Sequence, residues 1–336
     1  MTTSRQRMLD AITYNHPDRI PVIYHGSPAG LHVHGQKLLD LFNRYPPDNP
    51  VTFDHLPGPP PDAVDAEGRY HEIRADEWGI TWEYRIFGLW GHPKAHPLAS
   101  WEEGAGYAFP PLPAPDPAQW AEQRREFLVF AGGISIFERL HHLRPMDQAL
   151  MDIATRDPHL IAFLDRLVDY WRQGIARWLD AGADVITFAD DWGTQTSSIL
   201  SPALFRELFK PRYEALFAPI KRAGRRIMFH CCGYLGDVIE DFFDLGVDIL
   251  WPQIGLFEGL PDIHARCKAN GMSIYVHPDR QRLIPLGTPG EIRAAIRAYA
   301  DRYHALGGGG LFYVEIENDA PFENVVALVE SIDAYR

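Results

Sequence analysis

The segment Arg225–Phe243, RRIMFHCCGYLGDVIEDFF, sets His230, Cys231 and Cys232 side by side, after the apolar run Ile227-Met228-Phe229 and ahead of a helical pattern. Two of the chain's three cysteines lie here. Imidazole and thiolate are the preferred ligands of zinc, and a catalytic zinc takes three protein ligands while keeping one position open. In extended backbone, residues i and i+2 point the same way. His230 and Cys232 can therefore reach one ion while Cys231 faces the core. The third ligand has to come from another strand end. Glu315 is the first choice, with Glu317 and Asp191 as alternatives. A buried histidine beside two small apolar cysteines would use the same residues, so His-x-Cys alone is a weak motif.

ADDWGTQTSSILSP, from Ala189, carries a second group of polar residues. Asp190 and Asp191, followed by Gly193, Thr194 and Gln195, can orient a substrate or supply a proton. Asp191 could equally cap the next turn, and Ser201-Pro202 has the form of an N-cap and first helical residue. Other polar side chains also end apolar runs: Trp251 and Gln253 after DIL, His277 and Asp279 after SIYV, Glu315 and Glu317 after LFYV. His25, His32 and His34, near the first strand, read as surface histidines.

These positions demand a scaffold that gathers strand ends. Short β-branched or aromatic runs alternate with longer helical patterns: IPVIYHG from Ile20, EFLVFAGG from Glu126, ADVITFADD from Ala183, RRIMFHCCG, GVDILWPQ from Gly246, MSIYVHPD from Met272 and GGLFYVEIEN from Gly309. SPALFRELFKPRYEALFAPIKRAG reads as helix and stops at Gly224. With VTFDH, from Val51, as a second strand, the count reaches about eight. That suits an α/β, (β/α)8 TIM barrel of one domain over 1–336. In such barrels chemistry collects at the C-terminal strand ends.

Residues 46–117 break the rhythm. PGPPPDA precedes YHEIRADEWGITWEYRIFGLWGHP, whose alternation around Trp78, Trp82 and Tyr84 predicts a β-hairpin-containing insertion near the N-terminus. Its tryptophans could form a lid over a pocket or the core of the insertion.

The 336-residue chain is 46% hydrophobic with a formal charge of −13. That composition marks a globular protein, and its acidity argues against nucleic-acid or anionic-membrane partners. Three cysteines make no disulfide framework, which suggests a reducing compartment. The N-terminus reads as an amphipathic helix instead of a signal peptide, and no apolar run is long enough to span a membrane. The expected location is cytoplasmic.

HPDRIPV, DEWGITWE, ADDWGTQ, SPALFRELFKPRY, HCCGYLGDVIEDFFDLGVDILWPQ, PLGTPGEI and APFENV, in that order from Pro17 to Val325, resemble the uroporphyrinogen decarboxylase superfamily. The resemblance implies the same barrel. It also implies either a heme-pathway decarboxylase or a cobalamin-dependent methyltransferase, many of which are zinc enzymes. The decarboxylase branch has an arginine-rich motif after its first strand, where this chain has VIYHGSPAGLHVHG, and a last-strand histidine where this chain has Val314. The methyltransferase branch has His-x-Cys-Gly on its fifth strand, matching His230, Cys232 and Gly233. Its thiol-methylating members add a last-strand cysteine, and the count again falls on Val314, one residue before Glu315.

The resemblance therefore points to a zinc-dependent methyltransferase that passes a methyl group from a small methylated substrate to cobalamin carried by a corrinoid protein. His230, Cys232 and Glu315 would hold the metal. Asp191, Gln195 and Glu317 would be catalytic, and Tyr24, His25, Trp192, Trp251 and His277 would bind substrate. Trp78, Trp82, Trp90 and Trp192 would suit a flat substrate. A homodimer is the expected assembly. Metal-free decarboxylation of a polycarboxylate and a non-catalytic binding barrel are the alternatives.

Overall fold

The structure, a computed structural model, describes residues 2–336. Its main sheet is parallel and seven-stranded among the described residues, in the order β1-β10-β9-β8-β7-β6-β5. The strands are β1 (Val22–Tyr24), β5 (Phe130–Ile134), β6 (Val185–Ala189), β7 (Arg226–Cys231), β8 (Ile249–Pro252), β9 (Ser273–Val276) and β10 (Gly310–Val314). Three shorter strands, β2 (Glu72–Ala75), β3 (Thr81–Tyr84) and β4 (His92–Ala95), form an antiparallel sheet inside the predicted insertion. The expected hairpin is thus extended by a third strand. The sheet curls with helices between its strands into an α/β, TIM-barrel-like fold.

Strand alternation divides the core in two. Ile227 and Phe229, Ile186 and Phe188, Ile274 and Val276, and Phe312 and Val314 belong to the layer packed against the helices. Their neighbours Ile23, Val185, Met228, Ile249, Tyr275, Leu311 and Tyr313 form a separate inner cluster, joined by Met8, Ala11 and Ile12 of the N-terminal helix Ser4–Ile12. The inner residues fill the barrel, and that helix plugs it. Parity then continues past the strand ends. Positions 25, 191, 230, 232, 251, 253, 277, 279, 315 and 317 share the inner phase.

The expected second strand, Val51–His55, does not form. Pro50 lacks an N–H for a ladder, and Pro57 and Pro59–Pro61 follow closely. The free edge of β1 is met by side chains and a short backbone contact instead. Asn49 accepts from Tyr24 N at 2.9 Å and donates to Tyr24 O at 3.0 Å. Asp48 N donates to Val22 O at 2.7 Å, while its carboxylate accepts from Val22 N at 3.0 Å. Phe53 still buries its ring against Phe42, with centroids 4.6 Å apart.

The long helical run after Ser201 forms as expected, with a π-helical turn at Phe205–Phe209 preceding Pro211. Proline lacks the N–H that a regular turn would use, and the widened turn absorbs the missing bond. No helix among the described residues is long and apolar enough to cross a membrane.

Replacing Asn49 with Leu should cost roughly 1–3 kcal/mol, since it strands both backbone groups of Tyr24 at a part-buried edge. Urea unfolding of Asn49→Leu against wild type measures this, and an unchanged midpoint would show that water satisfies the edge equally well.

Candidate functional site

The site is built from the ends of β6 and β7. Their register aligns Ala189 with His230, and the ladder continues as Asp190 N donates to His230 O at 3.1 Å. One residue further, the Asp191 carboxylate accepts from Cys232 N at 2.6 Å. The two loops touch backbone to backbone at Gly193 and Gly233. Gly233 has φ +81°, and a Cβ on it would collide with the Gly193 carbonyl. Only glycine serves at this crossing.

His230 donates Nδ1–H to Trp251 O at 3.1 Å, which leaves Nε2 free of its proton. Nε2 lies 3.4 Å from Cys232 Sγ and 3.7 Å from Asp191 Oδ1. Ligand atoms of Asp191, His230 and Cys232 all fall within 4.8 Å of one another. Burial holds the His230 imidazole below its ordinary pKa, with the Asp191 charge opposing, so the ring is neutral. Burial pushes the Cys232 thiol up to about 12, and the Asp191 charge adds to this. Cys231 has the opposite strand phase. It is fully buried, and its Sγ accepts from Trp192 N at 3.2 Å.

The cluster opens into a cavity of about 540 Å³ at the C-terminal strand ends. Gln195, Trp251 and His277 line it with the cluster. Trp251 packs its ring 4.2 Å from both His230 and Tyr313. His277 is 6% exposed, and its Nε2 has no hydrogen-bond partner among the described residues.

Other expected residues lie elsewhere. Glu315 is outside the cluster, with Oε1 3.2 Å from His25 Nδ1 at the barrel mouth. Glu317 accepts from Arg280 Nη1 at 3.1 Å, and Arg280 Nη2 lies 3.6 Å from Cys232 Sγ. Glu317 therefore meets the cluster through a guanidinium. Tyr24 and Trp192 belong to the outer core layer. Tyr24 packs on Phe42 and Phe53, and Trp192 stacks on Phe137 at 4.6 Å. Strand phase is the reason: residue 24 lies between the inward positions 23 and 25, and residue 192 follows the inward position 191.

The tryptophans expected to suit a flat substrate are mostly spent on packing. Trp78 lies against Tyr170 and Trp171 and under Arg139, and Trp82 lies against His142. Trp90 is 87% exposed.

Several site residues have no counterpart in the sequence reading. Arg280 and Gln281 reach the cavity from the turn after β9. Glu138 lies in the first turn of the helix Phe137–Leu143, and its N–H donates to Asp190 Oδ1 at 2.7 Å. Burial, aided by the Asp191 and Asp190 charges, raises the Glu138 carboxyl to about 9. The signal for it was FERLHH, an acidic and basic first turn directly after a strand. Asp190 itself is fully buried and serves as that helix's anchor, accepting also from Ile136 N at 2.8 Å.

Two outcomes follow. Gly233→Ala should cost about 3 kcal/mol or more, from strain at positive φ and the collision with Gly193. Parallel urea titrations of the two proteins measure this, and equal midpoints would refute the crossing. Separately, burial pushes the imidazoles of His141, His142 and His277 down to about 4, 3 and 3. The unfolded chain takes up these protons below about pH 6.5 and the folded one does not. The histidine contribution is then full above that pH and is lost as pH drops toward 4, while the raised Glu138 carboxyl contributes in the opposite sense over the same range. With three imidazoles against it, the urea midpoint at pH 5 should still lie below that at pH 7, and a midpoint higher at pH 5 would contradict the burial of these rings.

Comparison with known proteins fits this architecture. The family model described as uroporphyrinogen decarboxylase (URO-D) matches residues 141–335, more than half of the chain. Two uroporphyrinogen decarboxylases from Thermus thermophilus strains are 33% and 32% identical over 93 residues, and each match spans 26% of this chain and 26% of the relative. A methyltransferase from Methanosarcina mazei superposes with a TM-score of 0.62 at 17% identity, covering 100% of this chain and 99% of that one. The barrel, the strand-end cluster and the family match together place the chain in the uroporphyrinogen decarboxylase (URO-D) family.

Proposed function

We propose that the protein is a zinc-dependent methyltransferase that moves a methyl group from a small methylated substrate to a corrinoid protein. The observation that carries this reading is the convergence of Asp191, His230 and Cys232 ligand atoms within 4.8 Å, beside an open cavity. Nitrogen, sulfur and carboxylate oxygen are a donor set that zinc accepts, and three such ligands leave a position for substrate. The locked Nδ1–H of His230 is the support that a metal-binding imidazole commonly has. In this reading Asp191, not Glu315, is the third ligand.

Bound there, zinc would act as a Lewis acid, stabilising negative charge on the atom that gives up its methyl group. The chain's own groups do the rest. Asp191 fixes Cys232 through the main-chain N–H, and Arg280 faces the sulfur with a positive charge. Glu138, whose carboxyl burial and the Asp191 charge raise in the metal-free protein, stands beside Asp191 as the proton donor to a departing oxygen or nitrogen in this reading. Gln195 and His277 orient the substrate from the cavity wall, and Glu317 holds Arg280 in place. With Trp78, Trp82 and Trp192 packed away, the methyl donor is read as small and polar. The mouth, at the strand ends, is where a corrin face would have to approach.

Porphyrinogen decarboxylation is the weaker reading. Its substrate's many carboxylates need cations, and residues 25–35 after β1 contain no arginine or lysine.

The reading predicts about one zinc per chain by elemental analysis. His230→Ala and Cys232→Ser should lose it, Asp191→Asn should weaken binding by roughly 10- to 100-fold, and Glu315→Gln should leave it unchanged. Zinc-free protein whose methyl transfer to cob(I)alamin survives both the His230 and the Cys232 change would end the proposal.

A further inference from the structure

Three glutamines from three strand ends form a chain across one wall of the cavity: Gln195 after β6, Gln253 after β8 and Gln281 after β9. Gln195 and Gln253 make a reciprocal amide pair, Nε2 to Oε1 at 3.3 Å one way and 3.2 Å the other. Gln253 Nε2 also donates to Gln281 Oε1 at 2.9 Å, and its Oε1 accepts from Gly233 N at 3.2 Å. A primary amide has two donor hydrogens and two acceptor lone pairs. Gln253 has used all of them, so its orientation is set, and it sets the other two. Gln195 keeps one donor and one acceptor, and Gln281 keeps two donors and one acceptor. Both are exposed at the mouth.

The belt carries no charge, so it favours neither a phosphate nor an ammonium ion. What complements it is a ligand that offers donors and acceptors together at several points. Its three residues come from three strand ends, and their amides form one continuous row joined at 2.9–3.3 Å, which offers more paired donors and acceptors than a small methylated substrate needs. A corrin macrocycle is rimmed by acetamide and propionamide groups, each a donor and an acceptor in one unit. We infer that the Gln195–Gln253–Gln281 belt is the edge on which the amide periphery of the acceptor's corrin ring rests. This step depends on the methyl-transfer reading above, and it adds the element that holds the macrocycle over the cluster. Gln253 ties the belt to the Asp191–Cys232 crossing through Gly233 N, so the same side chain that aligns the corrin also braces the cluster.

Two matched probes test it on the zinc-loaded protein. Dicyanocobinamide has amides around its rim, and dicyanocobyrinic acid heptamethyl ester has methyl esters that accept but cannot donate. Binding is followed by the corrin absorbance. Wild type should bind the amide form about tenfold or more tightly than the ester. Gln195→Leu and Gln281→Leu should each weaken the amide form by roughly fivefold and the ester, which can only accept from the belt, by less. Gln281→Leu keeps the Gly233 bond, so a folding defect at the crossing does not obscure its result, and unchanged zinc content checks this. Equal affinity for the two probes, or glutamine variants that bind as wild type does, would overturn the inference while zinc-dependent methyl transfer still stood. Failure to bind either corrin would also overturn it, and the zinc content of the His230 and Cys232 variants then decides the underlying reading on its own.

Discussion

Asp191 accepts the main-chain N–H of Cys232 across two loops that touch at Gly193 and Gly233, and the rest of the site hangs on that crossing. The β6–β7 register brings residue 189 level with residue 230. The carboxylate then stops the chain beyond β7 from drifting, so the imidazole and thiol two residues apart face the same point. A side chain in place of either glycine would separate the backbones and dissolve the arrangement.

Burial gives the cluster its chemical character. It raises the Cys232 thiol, lowers the His230 imidazole and, in the neighbouring helix, raises Glu138. Each shift favours the neutral form, as expected for groups removed from water with incomplete charge compensation. Arg280 is the cation that faces the sulfur, and Glu317 balances it. A positive charge placed at the cluster's centre would reverse the desolvation cost of the thiolate.

The insertion and the site are one packing problem. Arg139 lies 4.0 Å above the Trp78 ring, and Trp82 donates Nε1–H to Asp76 at 2.8 Å while packing on His142. Arg139 and His142 sit on the helix Phe137–Leu143, whose first N–H groups are held by Asp190. The antiparallel sheet thus presses on the helix that presents Glu138, and its tryptophans fasten it there.

Much could be read from residue order. Period-two alternation and glycine stops marked the parallel strands from residue 126 onward, and the i, i+2 spacing of His230 and Cys232 set them on one side of β7. The same alternation would have removed Tyr24 and Trp192 from the substrate list, since both have the outward phase. Which carboxylate joins His230 and Cys232 was not legible. Residues 191 and 315 are both inward carboxylates at strand ends, and choosing between them requires knowing that β6 is the direct neighbour of β7 while β10 is three strands away. VTFDH reads as a strand by composition, yet the side chains of Asp48 and Asn49 take the edge of β1. Local pattern dictates which face a side chain takes, because the backbone's pleat is a short-range property. Which distant side chains then meet is a matter of strand neighbours and loop contacts, and those exist only once the sheet has curled.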